Sequence, residues 1–215
     1  GVRYVLKGSV RKSAARLRIT CQLIDVATGT HLWADKMDGE LQDVFDLQDR
    51  ITSSVVGVVA PTIEHAEIER AKHKPTERLD SYDFYLRGAA LAHQGTPNAL
   101  ELFRKAIERD KEFAAAHAMA AFVLMVQQGG SGSPLPDRKR DEAVQFAEQA
   151  IQLGREDAAV LARSAHVLCY LAHQYDRATL LANEAVALNT NLAVAWHSRG
   201  WVALMSVIPD LAIES

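Results

Sequence analysis

The sequence has little of what marks secreted or membrane-spanning proteins. Its 215 residues include only two cysteines, Cys21 and Cys169, which lie far apart and form no CxxC motif, so no disulfide framework is indicated and a reducing cytoplasm is expected. There is no run of about 18 apolar residues, which excludes a membrane span. The net charge is only -3, so the bulk charge favours neither nucleic acid nor an anionic membrane as a partner.

Groupings of residues that perform catalysis are also missing. The glycine-rich stretch 129–133 lacks the Gly-Lys-Ser/Thr ending of a phosphate-binding loop and follows a predicted helix. His166 and His173 are seven residues apart and form a poor metal site without a third ligand. Cys21 lies on an apolar strand pattern and is predicted to be a core residue. We therefore predict no catalytic residue, no metal site and no cofactor in this chain.

What is present begins with a strand pattern. Residues 2–37 alternate between apolar and polar side chains with a period of two, which predicts three antiparallel strands with turns at 12–15 and 27–30. The third strand is predicted over 30–37, and Gly29 can adopt the positive φ of a short hairpin turn. A flat three-stranded sheet is rarely stable alone, so we expect an upstream segment to complete it.

From Leu41 the apolar spacing becomes helical and predicts one long helix, with Pro61 expected to kink or restart it. The polar stretch 72–78 is the predicted domain boundary. The first domain is thus predicted over 1–75 and the second over 80–215. Because the chain begins with Gly1 and stops soon after the start of a predicted helix, we interpret it as a fragment of a longer protein.

Helix pairs are predicted throughout the second domain. Ala99, Ala143, Ala178 and Ala212 recur with steps of 44, 35 and 34 residues, and the 44-residue step includes the glycine- and proline-rich stretch 127–136. Small residues follow each alanine on one helical stripe, where a second helix can approach closely. Helices are predicted over 81–94, 97–110, 113–127, 138–154, 157–173, 176–188, 192–207 and from 210 onward.

A helix-pair period of about 34 residues resembles tetratricopeptide repeats. The resemblance predicts a right-handed α-solenoid of about three and a half repeats after a small α/β fragment, a mainly α fold. In such arrays the first helices of each pair line a concave groove. The positions predicted to face this groove are Tyr82, Tyr85, His93, Phe122, Met125, His166, Tyr170, His197 and Trp201. Such side chains favour an apolar peptide or helix as the ligand; the alternative is that some of them pack between repeats.

A second candidate surface lies on the predicted hairpin. One strand face carries five cations and no acid precedes Asp25 in the chain. Its members are Arg3, Lys7, Arg11, Arg16 and Arg18. The functional interpretation is a docking face for an acidic partner. The alternative is an ordinary solvated strand face.

The front half also resembles a bacterial regulatory segment. The sequences of residues 1–11, 18–25, 28–34 and 44–49 are similar to the TolB-N-terminal-like region of alpha-proteobacterial class III adenylate/guanylate cyclase-like proteins, where it precedes tetratricopeptide repeats. The resemblance implies a regulatory, protein-interaction region, with the catalytic domain outside this chain. The paired metal-binding aspartates of a cyclase are not found in a matching context.

Three functions remain open from sequence. The first is a regulatory region of an adenylate cyclase-like protein, cytoplasmic, that binds a protein or peptide, for example the catalytic domain of the same protein. The second is the effector region of a winged-helix transcriptional regulator. The third is a stand-alone scaffold. Homodimerisation is a further expectation, whereas binding of nucleic acid or membrane by this chain is not expected.

Overall fold

Two compact units, Gly1–Arg70 and Ala71–Ser215, make up the chain. The computed structural model describes residues 2–73, 79–93, 98–131 and 136–213. Residues 74–78 of the predicted boundary therefore lie outside the described residues. Three antiparallel strands are followed by helices, which confirms the predicted mainly α class.

The strands of the first unit are β1 (Tyr4–Ser13), β2 (Arg16–Asp25) and β3 (Thr30–Glu40), paired in that order. Their alternating pattern is the one predicted, although β3 runs three residues beyond Met37. The turn between β1 and β2 consists of two residues, and Ala14 there has a φ of +51°. Gly29 has a φ of +69° in the second turn, a conformation that costs glycine less than any other residue.

A 3-10 turn (Leu41–Asp43) leads into α1 (Val44–His73). The predicted restart at Pro61 is wrong, because a proline removes one backbone bond and the neighbouring bonds continue the helix. Leu47 of α1 is 2% exposed and packs on Leu17 and Met37 of the sheet. A Cβ atom at Gly39 would lie 2.9 Å from Leu47 Cδ2, so glycine permits this close approach.

Helix pairs form the second unit. The described helices are α2 (Ser81–His93), α3 (Ala99–Arg109), α4 (Ala114–Ser131), α5 (Asp137–Leu153), α6 (Ala158–Ala172), α7 (Tyr175–Leu188) and α8 (Ala193–Ile213). Two predicted ends are wrong. Helix α4 continues past 127 into the glycine-rich stretch, and α8 continues through 209, where we predicted a new helix from 210. Extending a formed helix is easier than nucleating one, so both pass residues that favour a break.

The alanine pattern forms the close contacts within the array. Nine of its positions are at most 1% exposed: Ala99, Phe103, Ala106, Ala143, Ala147, Ala150, Ala178, Ala182 and Ala185. The side chain of Ala212 lies outside the described residues. Gly88 of α2 leaves no space for a larger residue, because a Cβ atom there would lie 2.8 Å from Phe103 Cε1 of α3. Small residues therefore set the distance between paired helices.

Candidate partner-binding groove

The first helices of successive pairs lie side by side along the array. Helix α4 packs against α6, and α6 packs against α8. The predicted groove residues of these three helices therefore belong to neighbouring elements, and contacts between their rings show which of them meet.

Four of the predicted residues meet in one cluster, here called the His166 cluster: Phe122, His166, His197 and Trp201. The His166 ring centroid lies 6.0 Å from that of Phe122 on α4, 5.8 Å from His197 on α8, and 6.0 Å from Trp201, also on α8. The rings of His166 and Trp201 are stacked at 20°. One histidine thus connects the first helices of three pairs.

Burial keeps the side chain of His166 neutral. The residue is only 8% exposed. Burial, with a smaller contribution from the nearby charge of His197, lowers the pKa of His166 to about 4, since removing water disfavours the imidazolium form. In the part of the chain that the structure describes, His166 Nδ1 is buried and has no hydrogen-bond partner. The centre of the cluster is therefore uncharged at neutral pH.

A hydrogen bond connects the two α8 residues of the cluster. Trp201 Nε1 donates to His197 Nε2 at 3.0 Å, which assigns the proton of a neutral His197 to Nδ1. Trp201 nevertheless remains 44% exposed. Trp201 therefore presents a large apolar ring whose orientation is already restricted before any partner arrives.

Tyr82 and Tyr85 form a different cluster. Their rings stack 6.2 Å apart, and Tyr85 lies 5.9 Å from Phe103 and 5.1 Å from Phe113. Tyr85 is thus partly buried where α2, α3 and the start of α4 meet, which agrees with the alternative that some predicted groove residues pack between repeats. Sequence reasoning missed Phe113, although an apolar residue just before a helix that begins at Ala114 is a known packing signal.

The other predicted groove residues differ in exposure. Met125 is 5% exposed and belongs to the array core, and Tyr170 is half-buried against the same core. The side chain of His93 lies outside the described residues. Val126 of α4 and Leu204 of α8 are 50% and 52% exposed. Among the described residues of these helices, the exposed large apolar side chains are therefore Val126, Trp196, Trp201 and Leu204.

The second candidate surface is on the sheet, and its five predicted cations differ in where they lie. Strand register places Lys7, Arg11, Arg16 and Arg18 on the same side. Arg3 departs from it, because its guanidinium lies 3.2 Å from Glu67 and 3.6 Å from Asp25. Glu67 of α1 is 6% exposed, and of the five predicted cations Arg3 is the one that pairs with this buried carboxylate.

Glu67 also accepts hydrogen bonds from Tyr4 and Arg70. Burial raises the pKa of Glu67, but these hydrogen bonds and the charges of Arg70 and Arg3 outweigh it, so the pKa is below its ordinary value. For Tyr4, burial and the bond to Glu67 raise the pKa to about 12. These contacts connect the start of the chain to α1 within the first unit.

Neither cysteine has the surroundings of a nucleophile. Cys21 and Cys169 are both buried, and burial raises the pKa of the Cys169 thiol, which disfavours the reactive thiolate. Across 2–73, 79–93, 98–131 and 136–213, no three His, Cys, Asp or Glu residues converge as metal ligands. No helix within those ranges combines the length and hydrophobicity needed to cross a bilayer.

Comparison with known proteins adds a relative. No protein-family model matches the chain. The chain is 32% identical over 155 residues to a Rhizobium meliloti (strain 1021) protein named "Putative adenylate cyclase 3". The match covers 70% of this chain and 26% of the relative. The chain therefore spans about a quarter of that relative's length.

Two solved structures are similar in part. One is the first tetratricopeptide repeat domain of Spaghetti bound to an HSP90 peptide, with a TM-score of 0.45, 13% identity, and coverage of 58% of this chain and 91% of that one. The other is a mutant of MamA, with a TM-score of 0.43, 13% identity, and coverage of 75% and 87%.

Proposed function

We propose that this chain is the partner-binding regulatory region of an adenylate cyclase-like signalling protein in the cytoplasm. The observation that carries the proposal is the His166 cluster, in which α4, α6 and α8 contribute rings to one continuous surface. Binding energy at protein interfaces concentrates in a few large rings of this kind. The similarity to the Rhizobium relative supports the cyclase setting over a winged-helix regulator or a scaffold.

The chemistry of the groove favours an apolar partner. None of the predicted groove residues is Asp, Glu, Lys or Arg, and His166 is neutral at physiological pH. A charged ligand group placed here would lose its hydration without gaining an ion pair. We therefore propose a peptide or helix that presents aliphatic or aromatic side chains. A cyclase catalytic domain of the same protein is the partner we favour, and a second copy of this chain is the alternative.

Two tryptophans of α8 provide a matched test. Trp201 belongs to the His166 cluster, whereas Trp196, which is 49% exposed, bonds to the backbone oxygen of Thr190 and contacts Arg199. Peptides selected from a random 12-residue display library against the chain serve as the probe. We expect Trp201→Ala to weaken their binding by about 2 kcal/mol or more, as at an interface hot spot, and Trp196→Ala to change it little.

The regulatory part of the proposal is tested in the full-length protein. Cyclic AMP formation is measured with wild type, Trp201→Ala and Trp196→Ala, after circular dichroism has shown that all three are folded. A selective change of rate in the Trp201 variant supports control through the groove. Equal rates and equal peptide binding in all three would show that the groove is not the functional surface.

A further inference from the structure

The sheet of the first unit has one covered and one open face. Leu17, Leu23 and Met37 point toward α1 and are at most 9% exposed. On the opposite face, the cross-strand pairs are Lys7 with Gln22, Arg11 with Arg18, and Thr20 with Lys36. All of the cationic residues on this face are exposed. We call this surface, with Lys7, Arg11, Arg16, Arg18 and Lys36, the basic sheet face.

The charges on this face are unbalanced. Arg18 forms a two-pronged pair with Asp38 at 2.7 and 3.0 Å, and Glu40 lies opposite Arg16 in the register. Among the described residues, Lys7, Arg11, Arg16 and Lys36 have no carboxylate within 4.0 Å, so positive charge remains in excess. The hydrogen bond from Arg18 and the charges of Arg18, Lys36 and Arg16 lower the pKa of Asp38, which shows that one acid serves several cations.

Arg11 and Arg18 are directly opposite each other across β1 and β2. Like charges directly opposite each other on neighbouring strands are destabilising. The pair of Arg18 with Asp38 relieves part of the repulsion, and no packing role offsets the rest, because the side chains lie on the exposed face. A ligand with negative charge would remove the repulsion.

The shape of the face indicates an extended ligand. Two adjoining depressions of about 440 and 500 Å³ share Arg11 and Arg18. The first also includes Arg16, and the second includes Lys7 and Lys36. Lys7 and Arg11 are four strand residues apart, or about 13 Å, which is too far for one phosphate or carboxylate to contact both.

We propose that the basic sheet face docks an acidic segment of a partner protein, with carboxylates that span Lys7, Arg11 and Arg16. Charge complementarity selects an anion, and the 13 Å spacing selects a ligand with several anions. The neighbours of Arg11 on this face are Ser9 on β1 and Arg18, Thr20 and Gln22 on β2. They offer no aromatic ring for base stacking, so a polypeptide fits better than single-stranded nucleic acid.

The test uses the full chain and a labelled poly-L-glutamate of about 20 residues at about 50 mM salt, where exposed charges are weakly screened. Arg11→Glu is compared with Lys12→Glu, an exposed neighbour on β1 with the opposite side-chain direction. Both substitutions reverse one positive charge. We expect a loss of about tenfold in affinity for Arg11→Glu and less than about twofold for Lys12→Glu.

A second pair of variants predicts a gain. Asp38→Asn releases Arg18 and should strengthen binding several-fold, whereas Asp35→Asn, on the other side of β3 and bonded to Ser54, should not. Equal losses for Arg11→Glu and Lys12→Glu, or no gain for Asp38→Asn, would overturn the proposal. Tighter binding of oligouridine or of phosphatidylserine vesicles than of poly-L-glutamate would also overturn it, in favour of nucleic acid or membrane.

Discussion

A single histidine connects three helix pairs in this array. His166 lies between Phe122 and Trp201, where a neutral imidazole packs like an aromatic ring and an imidazolium would lose its hydration. The sequence predicted that His166 faces the same surface as its neighbours, because all lie at matching positions of successive repeats. It did not predict the burial that decides the protonation state.

This burial makes the stability of the array dependent on pH. The folded-state pKa of His166 is about 4 and the ordinary value is near 6.5, so the unfolded chain binds the proton first as pH falls. The free energy of unfolding is therefore unaffected by His166 above about pH 6.5. It falls progressively between about pH 6.5 and about pH 4, by up to about 3 kcal/mol. We expect His166→Phe to reduce this pH dependence in urea unfolding between pH 7 and 4.

His197, which contacts His166 and contributes to lowering its pKa, remains in the variant. The difference between the two proteins therefore reports His166 together with its coupling to His197. Identical slopes of stability against pH in the two proteins would show that His166 is protonated as easily in the folded as in the unfolded state.

Helices α2 and α8 have a glycine at the same repeat position but in different surroundings. At Gly88 a Cβ atom would lie 2.8 Å from the buried ring of Phe103, whereas at Gly200 no atom lies within 4 Å. In the sequence both are simply glycines of a first repeat helix, and nothing there separates them. Only the packing of α3 on α2 distinguishes a required glycine from a replaceable one.

The two glycines therefore predict opposite effects of one substitution. Gly88→Ala should destabilise the protein by about 1–3 kcal/mol, because the buried Phe103 ring has no free space to move into. Gly200→Ala should stabilise α8 by about 0.5–1 kcal/mol through its higher helix propensity. Thermal melts of both variants measure the difference, and a loss of similar size at both positions would mean that α8 is packed on this side too.

At the scale of the whole molecule, the two candidate binding surfaces lie on different units. The neutral groove lies on helices of the second unit and the basic sheet face on strands of the first. Among the described residues, no three His, Cys, Asp or Glu side chains converge as metal ligands, whereas a cyclase site needs bound metal ions.

We therefore expect the isolated chain to form no cyclic nucleotide. The purified chain is incubated with ATP or GTP and with Mg²⁺ or Mn²⁺, and the product is compared with a heat-inactivated sample. A characterised adenylate cyclase serves as the positive control. Product above the inactivated sample would contradict the prediction and would locate catalytic residues within this chain.

Sequence alone determined the elements of this protein. A period of two predicted β1 to β3 and a period of 3.6 predicted the helices, because side-chain direction follows directly from backbone geometry. The alanine pattern also predicted which positions are close-packed. The ends of α4 and α8 were wrong, since helix extension depends on bonds already formed in the preceding turns.

Tertiary structure decided which of the predicted side chains meet. Tyr85 contacts Phe113, whereas Trp201 stacks on His166. Arg3 pairs with Glu67 and does not belong to the basic sheet face. These outcomes depend on distances between residues far apart in the chain, and periodicity contains no information about such distances. The cost of leaving a buried charge unpaired then favoured the contact between Arg3 and Glu67.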